Sequence, residues 1–264
     1  MNNELKLDFF EDGPFIKLSR NNIELIEFAC RIVDSTYRNS FNPSHENSSG
    51  WLIQHYSNGE IDWTKNKESI EKICKAIDRE NSTHLSVSGT ERTTNKNDKN
   101  PANSQGVIRM VDFIFESDKL LGRIENGDAN VVNELAKAVK YVSRGNTKVF
   151  SKFSFASKLC TYVARYQFHS DAYCIYDNVV QAVLPYYIYR YVGKNRALTF
   201  LKGHKSSISQ FKDNFDYRGY RDVIDEVISK VKPNITREQF DRLLWYYYKG
   251  DKELISKAIE AIPR

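Results

Sequence analysis

The sequence predicts an all-α fold, and three observations carry that prediction. Apolar residues recur at three- and four-residue steps through most of the chain, helix-start signals stand ahead of several of these runs, and alternating strand patterns are scarce. In order, Ile23, Ile26, Cys30, Val33 and Tyr37 place an apolar stripe on a helix over 22–38, with Asn21 or Asn22 able to cap it. Residues 40–63 read as irregular, with Pro43, a Ser-Ser-Gly turn at 48–50 and a short apolar run from Trp51. A second amphipathic helix is expected over 67–79, on Ile70, Ile73, Cys74 and Ile77.

The stretch 81–105 breaks the pattern. It is rich in Ser, Thr, Asn and Lys and nearly devoid of apolar residues, so burial cannot offset its ordering entropy; a polar loop is expected. Periodicity then returns, predicting helices over 106–117, 128–143, 151–167, 177–192, 205–213, 219–232, 236–248 and 251–262. Asp128 stands ahead of Val131, Val132, Leu135 and Val139, and Thr236-Arg237-Glu238-Gln239 has the form of a capping box. Residues 86–88 and 175–176 could be short extended pieces. The organisation expected is a helical and irregular region over 1–105, with its polar loop at 81–105, followed by a helical region over 106–264.

Composition narrows the function classes. Apolar residues make up 41% of the 264 and aromatics 13%, enough for a core with rings to spare. No apolar run approaches the roughly 18–20 residues needed to span a bilayer. The opening residues mix acidic and apolar types without a basic start, unlike a secretory signal. Cys30, Cys74, Cys160 and Cys174 are widely spaced, which suits reduced thiols in the cytoplasm rather than a disulfide or zinc framework. The five histidines stand singly, so neither a metal nor a cofactor is expected. The net charge of +5 is uneven: residues 1–133 carry 16 Lys and Arg against 21 Asp and Glu, and residues 134–264 carry 23 against 13. A basic half attached to an acidic half suits a polyanionic partner such as DNA.

The chemistry concentrates between Val149 and Val192. Lys158 lies close to the apolar stripe of the helix expected from about Ser151, among Phe153, Phe155, Ala156, Leu159, Cys160 and Val163. A polar break at His169-Ser170-Asp171 follows, then Tyr173-Cys174-Ile175-Tyr176. Asp177 stands at the start of the next helix, where exposed amides and the helix dipole favour a carboxylate. A lysine that acts as a nucleophile must be deprotonated, and an apolar setting disfavours its charged form; a carboxylate nearby can stabilise positive charge that develops in a substrate.

The segments 149–192 and 236–250 resemble the helix-hairpin-helix superfamily of DNA glycosylases, in particular bacterial proteins similar to 8-oxoguanine DNA glycosylase. The likeness rests on Ser154-Phe155-Ala156-Ser157-Lys158, on Ile175-Tyr176-Asp177-Asn178 nineteen residues later (Lys158 to Asp177), and on Phe240-Asp241-Arg242-Leu243-Leu244-Trp245. It implies a helix-hairpin-helix fold of two helical lobes with a cleft between them, and excision of a damaged or modified base. It further implies Lys158 as nucleophile and Asp177 as the catalytic carboxylate, without a cofactor. Where the family carries a Gly-x-Gly turn, this chain has Phe153, Ser154 and Phe155, so the hydroxyls of Ser154 and Ser157 are the candidate phosphate donors there. Lys148, Lys152, Arg165, Lys202 and Lys205 are further phosphate candidates, and Phe155, Tyr176 and Trp245 are candidates for a base pocket. The alternatives on the same scaffold are a non-catalytic DNA-binding module and a protein of phage defence.

Overall fold

The computed structural model describes residues 6–36, 46–59, 62–81, 83–85, 105–143, 146–149 and 151–264. Among them are thirteen α-helices and two two-stranded hairpins, so the helical class is borne out. The chain divides into two compact units, one of Met1–Thr36 with Tyr176–Arg264 and the other of Tyr37–Ile175.

In chain order, α1 is Arg20–Thr36 in the discontinuous unit. Neither asparagine caps it. Ser19 Oγ accepts from the Asn22 amide, while the Asn22 side chain, fully buried, binds the preceding segment. It donates to the carbonyls of Asp8 and Lys17 and accepts from the Asp8 amide, each at 2.8 Å. An amide side chain with two donors and an acceptor can staple two strands of backbone where a hydroxyl could not.

The continuous unit follows: α2 (Ser49–Ser57), a 3-10 turn (Trp63–Lys65), α3 (Lys67–Asn81), α4 (Gln105–Glu116), α5 (Leu120–Glu125), α6 (Ala129–Lys137), β1 (Lys140–Ser143), β2 (Asn146–Val149) and α7 (Phe153–Phe168). The region expected to be irregular thus contains α2. Ser48 Oγ caps it at the Trp51 amide, and Glu80 from the end of α3 accepts from the Ser49 amide and hydroxyl. The helix expected over 128–143 stops at Lys137 instead. Residues 140–143 pair antiparallel with 146–149, because Tyr141 and Val142 suit a strand and a partner strand follows at 146–149. Residues 82 and 86–104, most of the predicted polar loop, and the extended piece at 86–88 lie outside the described residues. Helix α7 is the axis of this unit. It packs against α2, α3, α5 and α6, which is why its residues from Phe155 to Arg165 are all buried.

The remainder of the discontinuous unit is α8 (Asn178–Tyr191), α9 (Lys194–Leu198), β3 (Leu201–Lys202), β4 (Lys205–Ser206), α10 (Ser209–Asp213), α11 (Tyr217–Ile228), α12 (Arg237–Tyr248) and α13 (Lys252–Glu260). Residues 175–176 form no strand, and the helix expected over 205–213 begins only at Ser209, after the β3–β4 hairpin. The capping box is present, with Thr236 and Gln239 bonded reciprocally. Here α8 is the axis, touching α9, α11, α12, α13 and β4. Its buried rings Tyr186 and Tyr187 pack with Phe10 and, for Tyr187, with Phe240 and Tyr248. The segment before α1 is tied down by their hydroxyls: Tyr186 donates to Asp12 and Tyr187 to the Ile16 carbonyl, both at 2.8 Å. Pro185 lies inside α8 and has no amide hydrogen, so the Gln181 carbonyl four residues earlier loses its helical donor. The Ser206 hydroxyl, on β4, supplies one at 2.6 Å.

Candidate functional site

Lys158 sits in the second turn of α7 with 7% of its surface exposed. Its Nζ donates to Ser154 Oγ, one turn back, at 3.3 Å. Ser154, Lys158, Thr161 and Arg165 step by four, three and four, so a polar line runs along one face of a helix otherwise packed with Phe155, Leu159, Tyr162 and Val163. Ser157 is fully buried, and its hydroxyl donates to the Ser154 carbonyl at 3.0 Å. The fully buried Thr161 hydroxyl has no hydrogen-bond partner among the described residues. A core helix carrying such a line retains polar groups where apolar ones would pack more cheaply. The spacing was present in the sequence, but the role of Thr161 within it was not singled out there.

The remaining candidates of this unit are dispersed around α7. Lys152 occupies the N-cap position, and its buried amine donates to the His84 carbonyl at 2.8 Å. Burial pushes that amine below its ordinary pKa, with Asp78 opposing the shift. Arg165, in the last turn, approaches Asp171 at 3.8 Å. Phe155 is fully buried. Lys148 is a backbone position in β2, opposite Tyr141, and its side chain lies outside the described residues.

Asp177 belongs to the other unit, as the N-cap of α8. Its extended backbone lets Oδ1 accept from the Val180 amide at 2.7 Å, and only 8% of the residue is exposed. Next to it, Tyr176 is buried edge-on against Tyr220, with ring centroids 5.1 Å apart, and its hydroxyl donates to Gln181 Oε1 at 2.6 Å. Burial pushes the Tyr176 phenol well above its usual range. Gln181 also donates to the Asn178 side chain, so a run of side-chain bonds from Tyr176 through Gln181 to Asn178 spans the first turn of α8 that Asp177 caps. Trp245 lies half-buried on α12, with Tyr246 at 5.0 Å and the Lys249 ammonium 5.3 Å from its ring centre. Asp241, on the same helix and 3% exposed, is a second buried carboxylate of this unit. The sequence displayed it within the Phe240–Trp245 stretch without marking it as more than part of a helix.

Residues 51–167 match the family model HI_0787_N, described as an N-terminal domain. No curated protein and no solved structure matches the chain. The matched segment falls within the continuous unit and includes Lys152, Ser154, Ser157, Lys158 and Arg165, ending before Asp177.

Proposed function

We propose that the chain is a DNA glycosylase of the helix-hairpin-helix kind with an AP lyase step, acting on a damaged or modified base. Lys158 is the nucleophile and Asp177 the stabilising carboxylate. What supports the reading above all is the setting of the two residues nineteen apart: an amine buried along a polar line of a core helix, and a carboxylate held as the N-cap of the following helix. In this mechanism the deprotonated Lys158 Nζ attacks C1′ of a nucleotide withdrawn from the stack. The C1′–N bond breaks, and its electron pair leaves with the base, which takes up a proton. Asp177 stabilises the positive charge that develops on the sugar during this step. Loss of the amine proton and opening of the sugar give a Schiff base on Lys158, from which the 3′ phosphate is eliminated.

Borohydride trapping on duplexes carrying candidate lesions tests the assignment. A covalent protein–DNA adduct is expected with the native chain and none with Lys158→Ala, whereas Asp177→Asn slows base release on the order of 100-fold or more. An adduct that survives Lys158→Ala removes Lys158 as nucleophile. Salt-dependent duplex binding with no abasic product on any substrate would instead identify a non-catalytic DNA-binding protein.

A further inference from the structure

Between Asp177 and Asp213 the chain has no acidic residue, yet it carries Arg190, Lys194, Arg196, Lys202, Lys205 and Lys212. The fold sorts these cations. Arg190 is paired with Asp12 at 3.0 Å and Arg196 with Glu226 at 2.9 Å, so both are neutralised within their own unit. Lys202 and Lys205 are exposed and have no acidic partner among the described residues. They stand directly opposite one another across the β3–β4 hairpin, flanking the Gly203-His204 turn. Gly203 takes a left-handed φ of 59°, with open space where a side chain would be, as the first position of a type II′ turn requires.

This arrangement is unfavourable on its own terms. Like charges directly across an antiparallel pair repel, and a hairpin of two-residue strands has almost no stability of its own. It is held by bonds beyond its own two paired rungs. Ser206 donates to the Gln181 carbonyl that Pro185 left without a helical donor, and the Ser207 amide donates to the Phe200 carbonyl at 2.8 Å. Arg264 donates to the Gly203 carbonyl at 2.7 Å, bringing a further guanidinium to the turn, and Lys194 donates to the Arg264 backbone oxygen at 3.0 Å. Repulsion maintained by this much anchoring is offset when a polyanion binds. Through Gln181, the anchor reaches the first turn of α8, which Asp177 caps.

We propose that the β3–β4 hairpin is a phosphate-gripping finger that holds the backbone of duplex DNA beside the Asp177 end of α8. This rests on the reading of the chain as a DNA glycosylase. Lysines without carboxylate partners grip phosphates as point charges, and the side-chain-free Gly203 lets a phosphate approach the turn closely. The finger carries affinity and no sequence preference.

The test is anisotropy titration of the full chain against fluorescent duplex DNA across a salt series. Lys202→Gln/Lys205→Gln is expected to lower the slope of log affinity against log salt by about 2, and to weaken binding similarly on unrelated sequences. Lys230→Gln/Lys252→Gln, an exposed pair elsewhere in the same unit, is expected to leave the slope unchanged. If the native chain binds DNA and the hairpin variant keeps its slope, or if the control pair lowers it equally, the finger is overturned while the glycosylase reading stands. A native chain with no duplex affinity overturns both. Stronger hairpin-dependent binding to duplex RNA than to duplex DNA overturns the assignment of the partner.

Discussion

At the scale of single residues, the proposed mechanism gives Asp177 a second function beside its N-cap, and mutation can separate the two. As an N-cap it needs only an acceptor oxygen for the Val180 amide, which asparagine also supplies. As a catalytic group it needs the charge. Asp177→Asn is therefore expected to keep thermal stability close to native, while Asp177→Ala lowers it by about 1 kcal/mol; both lose base release. Equal instability of the two variants in thermal melts would show that the carboxylate is required for folding itself. Asp177 could be read from the sequence because a carboxylate ahead of an apolar periodic run has a local meaning. Lys158 is proposed from its position relative to Asp177 and from resemblance. Its contact with Ser154 follows from helical geometry, but the burial around it follows from α2, α3, α5 and α6, which no local pattern specifies.

At the scale of elements, the long amphipathic helices were legible and the short ones were not. Helix α2 has Gly50 and two serines, Ser48 and Ser49, at its start, and it persists because Ser48 caps it and Glu80 binds its first turn from α3. That contact has a pH signature. Burial raises the Glu80 carboxyl above its ordinary 4.5, against the opposing hydrogen bonds from Ser49 and the charge of Arg79. The folded chain thus holds this proton more tightly than the unfolded chain. The resulting contribution is fully present below 4.5 and is lost as pH rises through the raised value. Relative to Glu80→Gln, native stability in urea melts is expected to fall over that window and then level off. The hairpins escaped sequence reading for a different reason: Val139 and Val142 continue a helical spacing across β1, and β3–β4 depends on an acceptor created by Pro185 in another element. Ser206→Ala is expected to leave the Gln181 carbonyl without this donor, at a cost of about 1–3 kcal/mol. Faster amide exchange should be confined to residues 200–208 and the first turns of α8; exchange that instead rises across α11–α13 would contradict a local anchor.

At the scale of the whole molecule, the division into units was the least legible feature, since the sequence contains no mark joining residues 6–36 to 176–264. The joints are single side chains reaching far along the chain. Tyr191 accepts from the Leu18 amide, Tyr247 donates to the Pro14 carbonyl, and Asn22 holds the intervening segment to α1. Asn22→Ala leaves several buried backbone groups unpaired at once and is expected to cost on the order of 2–3 kcal/mol. Hydrogen exchange should then quicken in residues 6–18 and spare α7. The thiols of Cys74 and Cys160, fully buried and pushed to high pKa by desolvation, are expected to resist thiol reagents in the native state and to react only on unfolding of their unit. The long joints also set an order of events during synthesis. The segment that docks on Tyr186 and Tyr187 leaves the ribosome before any of Tyr37–Ile175, and at about 5–20 residues per second it waits on the order of 10 s for its partners. For that interval Phe10, Phe15 and Ile16 lack the rings of α8 against which the finished protein buries them, so the nascent chain offers chaperones a binding site that the folded chain conceals.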